Sequence, residues 1–171
     1  MTALDRAWIT GLDVVGWFIL LPVRGLGRAI ALPASVSTSL SVLLGGPVDH
    51  VRIFEHSLFV RLHGRAIATT RPGRIYLRGS AAEFFDNPWL MLHEYWHVIK
   101  QWEPRTLSLR RYLVECMRRG YWNNRFEVEA RAFADAHAHR LRTMLSASSA
   151  APAPTPTGPH GGTTAPLSGR G

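Results

Sequence analysis

The stretch "NPWLMLHEYWHVIKQWEP", Asn87 to Pro104, constrains this chain more than any other. Asn87 followed by Pro88 reads as a cap and first-turn pair, and Pro104 stops the helix at about Trp102. A helix bounded in this way sets His93 and His97 nearly one above the other, because residues four apart share a face. Two imidazoles so placed can reach a single ion at about 2.0–2.1 Å. Glu94 is rotated by about 100° from His93. Its carboxylate then lies beside such an ion, where it can hold a water, and not on it.

Two histidines leave a catalytic zinc site one protein ligand short. The best donors downstream are Glu127 and Glu129 in "NNRFEVEARAFADAH". They are two residues apart on a helix, so they point in well-separated directions and one alone can face the site. The core-facing stripe of that helix is Phe126, Ala130, Phe133, Ala134, His137 and Leu141. Glu127 lies about 60° from the centre of the stripe and Glu129 about 100°. Glu127 is therefore the expected ligand and Glu129 the alternative. His137 and His139 are rivals for the third position, but His137 lies ten residues past Glu127 and suits a core or ligand-orienting hydrogen bond better. Gln101 follows Glu94 by seven residues, shares its face, and is a second candidate for orienting a ligand.

Around these helices the chain divides by composition. Residues 1–46 are apolar, and Leu4, Trp8, Leu12, Val15 and Ile19 follow helical spacing. The uncharged run between Asp13 and Arg24 is too short to span a bilayer as a helix. A helix packed on the domain, an amphipathic segment on a membrane surface, and a signal sequence or span all stay open for this region. No convincing signal peptide or full span is visible, and a cytoplasmic or peripherally membrane-associated protein is expected. From Gly46 to Gly79 the segments "VRIFE", "LFVRLHG", "RAIATT" and "RIYLRG" read as short strands of a small antiparallel sheet, punctuated by His63-Gly64 and Pro72-Gly73. Arg74 to Leu77, just upstream of the histidine helix, could offer an edge to an extended peptide. Residues 80–145 are helical, with Ser108 opening a helix that Gly120 closes and Asn123 or Asn124 opening the next. Residues 146–171 lack apolar bulk and are expected to be a disordered tail. The domain proper is thus 47–145.

Composition narrows the function classes. A hydrophobic fraction of 46% and a charged fraction of 19% over 171 residues describe one folded domain. Cys116 is the only cysteine, which excludes an intrachain disulfide and a thiolate metal cluster. The formal net charge of +8 comes almost entirely from arginine. No arginine run is interleaved with aromatics in the manner of a nucleic-acid platform, so nucleic acid is not an expected partner.

At the quoted residues the chain resembles the gluzincin metallopeptidases, which pair H-E-x-x-H with a glutamate on a later helix. In several membrane-associated gluzincin families that element reads E-x-x-A followed by D. Glu127-Val128-Glu129-Ala130 matches E-x-x-A, while Arg131 stands where the aspartate would be. A closer resemblance is to an uncharacterised bacterial zincin-like domain, some members of which occur with contractile injection systems and polymorphic toxins. It is carried by Arg74-Ile75-Tyr76-Leu77, by His93 to Val98 and by Gln101, and it covers about Val48 to His139. The resemblance implies an α+β, zincin-like fold, a Zn2+ held by His93, His97 and Glu127, and hydrolysis of a peptide or protein substrate with Glu94 as base. Tyr95, Tyr112, Tyr121 and His137 are all available to steady the oxyanion. A catalytically inactive module that keeps the fold for binding or assembly is the competing expectation, and a binder driven by arginine charge is a third.

Overall fold

The structure, a computed structural model, describes residues 27–61 and 66–150. They form an α+β domain in which four short strands make one sheet and helices supply most of the rest. The strands are β1 (Arg28–Ile30), β2 (Arg52–Glu55), β3 (Ala68–Arg71) and β4 (Arg74–Leu77). The helices are α1 (Ala34–Leu44), α2 (Leu58–Arg61), α3 (Ala81–Phe85), α4 (Pro88–Trp96), α5 (Leu109–Arg119) and α6 (Arg125–Ala150). A π-helical segment, His97–Trp102, continues α4 without a break.

The sheet is mixed, not antiparallel as expected. Its order is β1-β2-β4-β3, with β2 and β4 parallel and the two outer pairs antiparallel. The β3–β4 hairpin turns through Pro72-Gly73, where proline fixes φ and Gly73 takes the left-handed position at φ 64°. Because β4 lies between β2 and β3, Arg74–Leu77 offers no free edge to a peptide; the outer strands are β1 and β3. "LFVR" is a helical turn, not a strand. There Phe59 and Val60 pack under Tyr76 in a small satellite cluster. That tertiary contact outweighs the β preference of the alternating residues.

The principal core lies between the sheet and α4, with α1 and α6 closing it. Leu40 and Leu44 of α1 are buried with Ile53, Ile75, Met91, Leu92, Tyr95, Val98, Ala134 and Leu141. The boundary expected at residue 46 therefore does not separate a segment from the domain: residues 28–30 are a sheet strand and α1 is core. Residues 1–26, with the proposed amphipathic face, lie outside the described residues, as do the His63-Gly64 turn and residues 151–171. At the other end α6 runs to Ala150, past the expected tail boundary at Ser146. Among the described residues no helix is long and apolar enough to cross a membrane.

Local caps fix the elements that carry the site. Asn87 Oδ1 accepts from the Leu90 amide with Pro88 in the first turn, Ser80 and Glu83 make a reciprocal capping box on α3, and Ser108 Oγ accepts from the Arg111 amide. Gly120 closes α5 at φ 72°. Asn124 accepts from the Phe126 amide at the start of α6, and its own amide reaches the Tyr112 carbonyl and Cys116 Sγ on α5. One buried side chain thereby sets α5 against the first turn of α6.

Candidate metal centre

His93, His97 and Glu127 converge, drawn from α4, the start of the π segment and the first turn of α6, and all three are buried. His97 Nε2 is 3.2 Å from His93 Nε2. Glu127 Oε2 is 3.4 Å from His93 Nε2, and Glu127 Oε1 is 3.6 Å from His97 Nε2. A tetrahedral ion with bonds of about 2.0–2.1 Å separates its ligands by about 3.4 Å. The three distances bracket that value. Glu127 Oε2 has no hydrogen-bond partner among the described residues, although it is buried. A buried carboxylate oxygen is costly to leave unmatched, and a cation between the two imidazoles would satisfy it. The residues fit a divalent metal of the nitrogen- and oxygen-binding kind.

The orientation of His97 follows from Gln101. The Gln101 amide nitrogen donates to the Phe126 carbonyl at 3.0 Å and to Glu129 Oε2 at 3.0 Å. Both partners can only accept, so the Gln101 oxygen must face His97, whose Nδ1 lies 2.7 Å away. In the neutral ring of His97 Nδ1 is then the protonated nitrogen, which leaves Nε2 as the atom that can ligate. Glu129 is exposed and reaches the site through this relay instead of as a ligand. The alternative assignment is corrected accordingly: Glu127 and Glu129 point apart, and Glu127 is the one turned inward.

His93 is held differently. Its Nδ1 has no hydrogen-bond partner among the described residues, but its ring stacks on Trp89 with centroids 5.1 Å apart and planes 15° apart. Trp89 Nε1 in turn donates to Asp135 Oδ1 at 2.7 Å, on the same helix as Glu127. Trp89 lies four residues before His93 on α4, the spacing that brings the two rings together.

Glu94 is buried next to the triad. Burial raises its pKa, and the nearby Glu127 carboxylate adds to the rise while both histidines work against it. Burial also opposes the charge on Glu127, yet His97 and His93 prevail and hold its carboxyl well below the ordinary range. For His97, burial disfavours the cation, but Glu127, Glu94 and Gln101 outweigh it and lift its pKa to about 9.

Of the four oxyanion candidates, two adjoin the centre. Tyr112 donates to Glu127 Oε1 at 2.8 Å. Burial and the carboxylates of Glu127 and Glu94 keep the Tyr121 phenol well above its ordinary pKa. Tyr95 is fully buried in the principal core, its hydroxyl without a partner among the described residues. His137 stacks on Phe133 and bonds the Phe133 carbonyl at 3.0 Å, one helical turn back, so it orients no ligand. His139 is exposed. The π segment had no sequence signal. Its wider i→i+5 winding, seen in the Glu103 amide bonding the Val98 carbonyl, buries Gln101 beneath His97 and turns Trp102 inward to donate to Thr70.

No family model, curated protein or solved structure matches this chain. The site stands on the chain's own residues.

Proposed function

We propose that this protein is a zinc-dependent peptidase of gluzincin type, with His93, His97 and Glu127 as ligands and Glu94 as general base. The observation that carries the reading is the convergence of the two imidazole Nε2 atoms, 3.2 Å apart, with the Glu127 carboxylate, whose Oε2 is 3.4 Å from His93 and whose Oε1 is 3.6 Å from His97, and a buried Glu94 beside them. Zinc bound there would act as a Lewis acid, polarising a carbonyl and acidifying water. Glu94 supplies the proton chemistry: it takes a proton from the attacking water and returns it to the leaving amine. Tyr121 would steady developing negative charge from the Glu127 side, while the Tyr112 proton is committed to Glu127 Oε1. Gln101 fixes His97 in the ligating tautomer, and Trp89 fixes the plane of His93. The substrate class is a peptide or protein, and a cytoplasmic or membrane-peripheral setting accords with the absence of a spanning helix among the described residues.

Glu94→Gln tests the reading. The variant should retain zinc at the wild-type level by elemental analysis while cleavage of a peptide library is abolished. Unchanged cleavage would refute the base assignment. A second reading, a zinc-holding module with no turnover, is favoured by the closed state of the site, since Glu94 and all three donors are buried and Tyr112 occupies Glu127. It predicts that wild type and Glu94→Gln are equally inert with equal zinc.

A further inference from the structure

Helix α5 has two unlike faces. Tyr112 and Cys116 turn inward, packing with Trp102, Leu107 and Phe126 over the metal centre. At about 100° per residue, the direction opposite to them is occupied by Arg110, Val114, Met117 and Arg118. All four are exposed, and Met117 is 74% exposed, the highest of the large apolar residues described. The side chains of Arg110 and Arg118 make no ion pair or hydrogen bond among the described residues. Trp122, just past the helix, is also exposed. From Arg105 to Arg125 six arginines are exposed, against one glutamate, Glu115, which pairs with Arg119.

We propose that this outer face of α5 is a docking surface for an anionic lipid bilayer. The chemistry selects that partner. Exposed arginines attract anionic headgroups, at about a fivefold gain in binding for each one near the surface. Methionine and valine set between two arginines gain free energy only where apolar acyl boundary lies directly beneath the charged layer. A nucleic-acid backbone offers no such layer, and a strand-stacking platform needs aromatic rings where this face has aliphatic ones. Trp122 suits the same interface. Seated in this way, α5 holds the metal centre one helix thickness from the membrane, with Tyr112 on its protein side. The inference does not depend on the metal or on turnover.

The full chain should co-sediment with vesicles of phosphatidylcholine and phosphatidylglycerol in equal parts, not with phosphatidylcholine alone, and release as salt rises. Arg110→Gln with Arg118→Gln should weaken partitioning by about thirtyfold. Met117→Ser should weaken it by about tenfold. Arg140→Gln with Arg142→Gln, an equal charge change on exposed positions of α6, should leave it unchanged. Thermal melts of these surface variants provide the folding control. The proposal is overturned if wild type ignores the mixed vesicles, if the α6 pair matters as much as the α5 pair, if the α5 variants bind as wild type does, or if duplex DNA binds more tightly than the vesicles.

Discussion

Gln101 gives the sharpest test of how the centre is held. Its side chain is 1% exposed and joins His97, the Phe126 carbonyl and Glu129 in one relay. Gln101→Met keeps the volume and removes both polar ends. Glu129, which is exposed, recovers water, and the Phe126 carbonyl lies in the first turn of α6, where a helical amide is its usual partner. The group left stranded is His97 Nδ1, a buried donor, and orphaning one such group costs about 1–3 kcal/mol. The imidazole is also freed to change tautomer, and loss of an orienting partner of this kind costs about 10–100-fold in metal affinity. Gln101→Glu separates orientation from packing. Its carboxylate can still accept from His97, but it then faces the Phe126 carbonyl and the Glu129 carboxylate, both acceptors. It should be less stable than Gln101→Met at neutral pH and should recover when Glu129→Gln is added. The assays are zinc competition against a chromophoric chelator and thermal unfolding. Wild-type zinc affinity in Gln101→Met, or no rescue of Gln101→Glu by Glu129→Gln, would refute the relay.

Three further outcomes are expected. Glu127→Ala should lose zinc, while Glu129→Ala should keep it with affinity lowered by about tenfold or less, because it touches the ligands only through Gln101; elemental analysis and chelator competition read both. Trp89→Ala removes the His93 stack, worth about 0.5–1.5 kcal/mol, together with the bond to Asp135. It should weaken zinc binding more than Asp135→Asn, whose amide oxygen can still accept. Glu55 is buried, accepts from the Ala81 amide and pairs with Arg28, and these contacts lower its pKa against the effect of burial. Its stabilising contribution is present above its unfolded pKa of about 4.3 and is lost as pH falls through the lower folded value. Glu55→Gln should therefore show a shallower acid limb in a plot of unfolding temperature against pH.

The helical half of the domain was largely legible in the sequence because its boundaries are written in cap chemistry. Asn87-Pro88, Ser108, Gly120 and Asn124 all act where their residue types indicate. Which glutamate turns toward the two histidines was legible for a related reason: Glu127 lies nearer than Glu129 to the buried stripe, and α6 turns that stripe inward. The sheet was harder to read. Alternation marks a strand without naming its neighbours, so the parallel β2–β4 pair and the interior position of β4 depend on packing among distant segments. Leu58–Arg61 has the local look of a strand and becomes a helical turn because Phe59 and Val60 are needed against Tyr76. The π segment and the role of Glu129 each depend on two helices meeting, which spacing along one chain does not encode, whereas the Trp89 stack lies within α4 at a spacing of four residues.

The central claim is that one divalent ion is held by two imidazoles and one carboxylate, and X-ray absorption at the zinc edge tests it most directly. Wild-type protein should carry one zinc per chain, with nitrogen and oxygen neighbours at about 2.0–2.2 Å and imidazole outer-shell scattering, and Glu127→Ala should lose the metal. A sulfur neighbour at about 2.3 Å, which could come only from Cys116 or a methionine, or full zinc occupancy in Glu127→Ala, would contradict the account.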